Sequence, residues 1–164
     1  MIEQTRHKPP TELTRPRGIL PVCTPLRSRV NLSSIVRTAG CCGIGRIITC
    51  GNLKVDPTVA RDGAESVEIE VRRTLPPVLK KLRQEGYTLV GLEQTTDSHN
   101  LHDYAFLHRT ALVIGNERTG IGEEELALLD ACVEIPVWGK PFSYNVASAT
   151  AMAFYEYCRQ YPTG

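Results

Sequence analysis

Two runs in this chain, Thr88-Leu-Val-Gly-Leu92 and Thr110-Ala-Leu-Val-Ile114, show no alternation of polar and apolar residues. A strand with one wet face alternates, so a continuous apolar run of strand length predicts a strand covered on both sides. Shorter strand-like runs surround them: Gly18 to Cys23 (weakened by Pro21), Arg46 to Thr49, Val67 to Val71 and Val133 to Ile135. Helical patterns separate them. Leu32, Ile35, Val36 and Ala39 form one apolar stripe, closed by Gly40, Gly43 and Gly45. Pro57 opens a short helical stretch to about Ala64. Thr74 reads as an N-cap before Pro76 and Pro77, with Val78, Leu79 and Leu82 facing inward and Gly86 ending the helix. Two further helices are expected over Glu123 to Leu129 and Asn145 to about Tyr161. Strands separated by helices predict an α/β domain with a mostly parallel sheet flanked by helices. The chain's 164 residues suit one such domain. We take residues 15–164 as that domain and residues 1–14 as a flexible basic N-terminal arm.

Composition excludes several classes. Hydrophobic residues at 41% and charged residues at 23% are those of a soluble globular protein. No apolar run approaches the ~20 residues of a membrane span, and the N-terminus lacks a signal-peptide core, which points to the cytoplasm and to no membrane partner. The six cysteines form no C-x-x-C pair, and several lie in apolar runs; buried reduced thiols are expected, rather than disulfides or zinc. His99 and His102 read as polar residues of a surface loop, not metal ligands. A net charge of +1 gives no global attraction for nucleic acid. Among the first thirty residues, however, Arg6, Lys8, Arg15, Arg17, Arg27 and Arg29 face only Glu3 and Glu12, a charge pattern able to meet phosphates or simply to be solvated.

Three stretches set polar side chains or glycines where a strand meets a helix, the edge at which open α/β sheets bind ligands. In Asn31-Leu-Ser-Ser-Ile-Val-Arg37, Asn31 is either a plain N-cap beside a solvated Arg37, or both stand at that edge, where a guanidinium could clamp a phosphate or ribose oxygen. In Gly115-Asn-Glu-Arg-Thr-Gly120, Gly115 lets backbone approach a ligand, Gly120 and Gly122 permit a sharp loop, and Glu117 is a lone carboxylate. A tight turn alone also explains those glycines. No Lys-Ser/Thr follows, so this is not a triphosphate-binding loop. In Ile135-Pro-Val-Trp-Gly-Lys-Pro-Phe-Ser-Tyr-Asn145, Ser143 or Asn145 caps the last helix. Ala147, Ser148, Ala149, Thr150, Ala151 and Ala153 then make that helix thin enough to pack closely on another backbone, in a threaded core or a subunit contact. No nucleophile elbow of a hydrolase is present.

In this order and spacing the three stretches resemble the motifs of the SpoU (TrmH-like) branch of the SPOUT RNA methyltransferases: Asn-x-Gly-x-x-x-Arg, Gly-x-Glu-x-x-Gly, and Ile-Pro followed by Ser-Leu-Asn-Val-Ser-x-Ala. The similarity covers roughly residues 18 to 161. Gly86-Tyr-Thr-Leu-Val-Gly-Leu-Glu-Gln-Thr95 and Cys132-Val-Glu-Ile-Pro136 most resemble the tRNA guanosine-18 ribose methyltransferases. The resemblance implies a deep C-terminal trefoil knot, a homodimer whose sites are completed by the partner chain, and S-adenosylmethionine as cofactor. The activity implied is methyl transfer to a ribose 2′-hydroxyl of RNA, with tRNA first and ribosomal RNA second, or a silent RNA-binding module retaining the fold. It puts Gly115, Ile135, Tyr144, Gly120 and Leu92 at cofactor positions, and Asn31, Arg37, Glu117, Ser143 and Asn145 at catalytic ones. Three departures stand out: Ser33 for the usual glycine, expected to alter the RNA pocket, Tyr144 for leucine, and Ala147 for serine.

Overall fold

The computed structural model describes all of residues 1–164. Its strands are β1 (Leu20–Cys23), β2 (Arg46–Cys50), β3 (Glu68–Arg72), β4 (Thr88–Leu92), β5 (His99–Asn100), β6 (Thr110–Ile114) and β7 (Ala131–Glu134). They form one sheet in the order β3-β2-β1-β6-β4-β7-β5, with every pairing parallel. The helices are α1 (Arg29–Cys41), α2 (Pro57–Ala60), α3 (Gly63–Ser66), α4 (Leu75–Gln84), α5 (Glu123–Leu126) and α6 (Val146–Gln160).

Helices cover both faces of the sheet, which explains the unbroken apolar runs. Val90, Leu112 and Ile114 join a core with Leu32, Ile35 and Val36 of α1 and with Phe154 and Tyr157 of α6. Their strand neighbours Leu89, Ala111 and Val113 point the other way, against Leu75, Leu79 and Leu82 of α4. Successive residues thus enter opposite cores, and both sides demand apolar atoms.

The edges depart from expectation. In β3, Val67 before it is buried but Val71 is 57% exposed, because no helix covers the far end of this edge strand. Glu70 pairs there with Arg46 and Arg72. At the opposite edge, β5 is a two-residue strand in what reads from the sequence as a loop, paired to β7.

The terminal segments hold each other. The Thr14 N–H donates to the Thr163 carbonyl at 2.8 Å, and the Arg15 guanidinium donates to the Gly164 carbonyl. Arg17 donates to the carbonyls of Cys42 and Tyr161. Arg15 and Arg17 therefore tie chain ends together, and are not free arm charges as their clustering suggests. The cysteines are free, but not uniformly buried as expected: Cys41 is exposed and Cys42, Cys132 and Cys158 half-buried. Burial pushes the Cys23 thiol up to about 12 and Cys50 up to about 11, so both are protonated packing atoms at neutral pH.

From β1 the chain steps outward through β2 and β3. It then crosses back to lay down β4, and β6 later slots between β1 and β4. The direction of winding reverses around β6, and such a reversal leaves a crevice at the carboxyl ends of the strands.

Candidate functional site

That crevice is a cleft of about 480 Å³ at the ends of β4, β6 and β7. Leu92, Ile114, Ile135 and Val146 give it an apolar floor, and Glu93, Glu117 and Glu134 line it with carboxylates. Nine of the ten candidate site residues border it: Asn31, Glu117, Ser143, Asn145, Gly115, Ile135, Tyr144, Gly120 and Leu92. Arg37 does not.

One chain of hydrogen bonds joins the three sequence motifs. Glu117 Oε2 accepts from the Arg27 N–H at 2.8 Å, and Oε1 accepts from the Ser28 N–H at 2.9 Å and from Asn31 Nδ2 at 3.1 Å. Asn31 Oδ1 in turn accepts from Asn145 Nδ2 at 3.1 Å. Asn145 Oδ1 then accepts the N–H groups of Ala147 and Ser148, so Asn145 caps α6 while it holds Asn31. The cap of α1 is Ser28, whose side chain accepts the Asn31 N–H. Asn31 thus lies inside the first turn and is not the N-cap, so its side-chain amide is engaged by Glu117 and Asn145 rather than by the helix start.

Burial works to push the Glu117 carboxyl up. The hydrogen bonds from Arg27, Asn31, its own N–H and Ser28 outweigh that and hold it below the ordinary carboxylate range. Glu117 is ionised at neutral pH and accepts only, which fixes the Asn31 amide with its nitrogen toward Glu117 and its oxygen toward Asn145.

The loop that carries Glu117 is shaped by its glycines. Asn116 and Gly120 exchange backbone hydrogen bonds at 3.0 and 2.9 Å, and Asn116 Oδ1 accepts the N–H groups of Arg118 and Thr119. Gly120 has φ +67. A Cβ on Gly115 would sit 2.8 Å from the Gly120 carbonyl carbon, so the absent side chain is needed first for the loop's own return.

Arg37 lies on α1, six residues past Asn31, exposed and in no ion pair or hydrogen bond. Six helical residues amount to a rise of ~9 Å and a rotation of ~120° away from Asn31. The cleft of its own chain is out of its line. Ser33 also falls outside the cleft, against expectation: it is fully buried, its Oγ donating to the Arg29 carbonyl and accepting the Asp56 N–H at 2.8 Å, which ties α1 to the start of α2. Tyr144 stands at the rim, its hydroxyl 3.4 Å from the Pro136 carbonyl, and Ala147 packs against the core.

Sequence reasoning missed Glu93, Glu134 and Asn116. Glu93 Oε2 accepts the Ile121 N–H at 3.1 Å, and Glu134 Oε2 accepts from Ser98 Oγ at 2.6 Å. The signal was available, since Glu93 directly follows β4 as Gly115 follows β6, and Glu134 ends β7.

With this geometry in hand, comparison with known proteins is specific. The sequence pattern of the SpoU rRNA Methylase family matches residues 20–155. Mouse tRNA (guanosine(18)-2'-O)-methyltransferase TARBP1 is 43% identical over 93 residues, 56% of this chain and 6% of that protein. The Escherichia coli (strain K12) tRNA (guanosine(18)-2'-O)-methyltransferase is 29% identical over 133 residues, 79% of this chain. The chain spans only 58% of that protein's length. Among solved structures, the A. aeolicus TrmH/SpoU tRNA modifying enzyme superposes with a TM-score of 0.85 at 25% identity, covering 92% of this chain and 78% of that one. The SpoU methyltransferase AviRb from Streptomyces viridochromogenes, in complex with AdoMet, gives 0.74 at 26% identity, covering 95% of this chain and 64% of that one.

Proposed function

Because the chain belongs to the SpoU rRNA Methylase family, we propose that it is a cytoplasmic, S-adenosylmethionine-dependent methyltransferase. It moves a methyl group to a ribose 2′-hydroxyl of tRNA, guanosine 18 being the favoured position. The observation that carries this reading is the hydrogen-bond chain from Glu117 through Asn31 to Asn145, built on the rim of a cleft of cofactor size.

The residues present suit S-adenosylmethionine. The cleft volume of about 480 Å³ falls within the ~300–1,000 Å³ of small-molecule sites. Its apolar floor fits an adenine ring, and its three carboxylates against Arg118 alone favour a cationic sulfonium. Gly115, Gly120, Leu92, Ile135 and Tyr144 are the residues we assign to holding it. When bound, S-adenosylmethionine would supply an electrophilic methyl carbon on its sulfonium for the ribose 2′-oxygen, with S-adenosylhomocysteine as the leaving product. Asn31, Ser143 and Asn145 orient the ribose in line with that carbon, and proximity of this kind is a large part of such a rate. Arg37 binds the neighbouring phosphate and the oxygen as it gains charge; it cannot act as a base, because a guanidinium keeps its proton.

Arg37 then has to come from a second copy. We assign a homodimer through α1 and α6, which pack on each other and leave Val30, Met152 and Tyr155 exposed at 57%, 39% and 74%. The small residues of α6 fit the threaded trefoil knot of the family's C-terminal region. Arg6 and Lys8 of the arm, exposed and unpaired, are left to meet RNA phosphates.

Transfer of a labelled methyl group from S-adenosylmethionine to bulk tRNA and to ribosomal RNA, with nucleoside mapping, tests the proposal. Label in 2′-O-methylguanosine of tRNA is the expected result. Label in ribosomal RNA alone would move the substrate, and no transfer together with no thermal shift by S-adenosylhomocysteine would leave a silent RNA-binding module.

A further inference from the structure

Between β7 and α6 the chain makes a loop beside the cleft that exposes Trp138 and Phe142, whereas the other two phenylalanines are buried. The chain has three phenylalanines and one tryptophan. Phe106 and Phe154 are buried in the core, at 3% and 0% exposure. Trp138 and Phe142 lie four residues apart in this single loop and are 87% and 74% exposed. Water contact over so much ring surface is unfavourable, and nothing within the chain relieves it. Lys140 lies between them, with Nζ 5.8 Å from the centre of the Phe142 ring.

The loop is also held to the cleft. Gln94, just past β4, donates to the Phe142 carbonyl at 3.3 Å. A second concavity of about 370 Å³ lies under Trp138 and Lys140, and it shares Pro141, Ser143, Tyr144 and Asn145 with the main cleft. Whatever rests on Trp138 is therefore next to the atoms that orient the reacting sugar. Val137 to Asn145 contains a lysine and no acidic residue, while the cleft interior is acidic. Cationic charge outside and carboxylates inside match an anionic polymer outside and a cationic cofactor within.

We propose that Trp138, Lys140 and Phe142 form a stacking platform for unpaired nucleobases of the RNA flanking the methylated nucleotide, with Lys140 on the intervening phosphate. Flat faces stack on any base, and stacking together with one cation is the usual chemistry by which proteins hold single-stranded RNA. The platform reads an unstacked loop rather than a duplex, whose bases are hidden. This inference rests on the RNA methyltransferase reading above, and makes the loop the part of the site that selects single-stranded substrate.

Trp138 is the only tryptophan, so emission excited at the red edge of the indole absorption, where the six tyrosines do not absorb, reports this loop alone. Titration of the whole 164-residue chain with an unmodified tRNA transcript, in saturating S-adenosylhomocysteine, should quench that emission to saturation. Trp138→Ala and Phe142→Ala should each raise the KM for tRNA about tenfold, ~1.4 kcal/mol at 25 °C, with kcat changed much less. Trp138→Phe should restore most of the loss, and affinity for S-adenosylhomocysteine should be unmoved in all three. Methyl transfer by the native protein with unaltered tryptophan emission, or a Trp138→Ala KM equal to that of the native protein, overturns the platform and leaves the methyltransferase reading standing. Emission that shifts with protein concentration in the absence of RNA assigns the rings to a second copy and overturns it too. No transfer to any RNA by the native protein removes both.

Discussion

The two ends of α1 are built under opposite rules. At its start, Ser28 and Asn31 are fixed by Glu117, Asn145 and the helix's own cap, and every polar atom named there has a partner within the chain. Toward its end, Arg37 is exposed and bonded to nothing. Groups fixed before a ligand arrives lose little entropy when it binds, whereas a free guanidinium is suited to a partner that comes from outside. One chain thus fixes the polar groups at the rim of the cleft, and leaves Arg37 unpaired for a group from outside.

The largest effect that can break this contrast lies at the free end. Arg37→Ala should lower methyl transfer to tRNA by about 10²–10³-fold, as loss of one transition-state charge partner does. Affinity for S-adenosylhomocysteine and thermal stability should stay near native, since Arg37 supports nothing in the fold. Mixing this variant with a cleft variant such as Glu117→Gln should recover activity, to about a quarter of native sites if dimers reassort at random. Recovery requires that Arg37 serve the neighbouring cleft; a mixture as inactive as its components would put the arginine back in its own chain.

At the fixed end, Gly115→Ala should be the most damaging change to the fold. Its Cβ would meet the Gly120 carbonyl carbon at 2.8 Å and the Ile121 nitrogen at 2.9 Å, backbone atoms that cannot rotate away. A cost of about 1–3 kcal/mol in chemical denaturation is expected, with cofactor binding lost along with the loop's shape.

Glu117→Gln comes next. The amide keeps the size but offers an NH₂ where three donors converge, so about 1–2 kcal/mol should be lost. The acid limb of stability should change with it. The folded carboxyl titrates below its unfolded value, so in that window the unfolded chain binds more protons, and stability rises with pH. The contribution is complete above the unfolded pKa and is lost as pH falls through the folded one. Melting temperatures between about pH 5 and pH 3 should fall less steeply in the variant; equal slopes would show that Glu117 is not the carboxylate that matters.

The same contrast bears on what could be read from residues alone. The strand and helix order was legible because two-sided burial leaves unbroken apolar runs and a helix leaves a stripe. β5 left no such mark: two residues at an edge, His99 and Asn100, bury too little to show a period. Motif spacing brought Asn31, Glu117 and Asn145 to one sheet edge, but not their order in a hydrogen-bond chain, which depends on Ser28 capping α1 three residues ahead of Asn31. Ser33 misled for the reverse reason. Its place in the motif spoke of RNA, while its hydroxyl is used between Arg29 and Asp56, a pairing that no local pattern encodes.

The smallest effect is the sharpest, because it can separate capping from site geometry at one position. Asn145 accepts two N–H groups at the start of α6 and donates to Asn31. Asn145→Ala loses both roles and should cost about 1 kcal/mol from the cap alone. Asn145→Asp still caps, and its charge is favoured at a helix N-terminus, so stability should stay within about 0.5 kcal/mol of native. Yet an ionised aspartate cannot donate to Asn31 Oδ1, and it sets a second negative charge near Glu117. Methyl transfer should therefore fall as far in Asn145→Asp as in Asn145→Ala, while only the alanine variant melts early. If the aspartate variant keeps native activity, Asn145 is a helix cap and nothing more, and the fixed end of the site stops at Asn31.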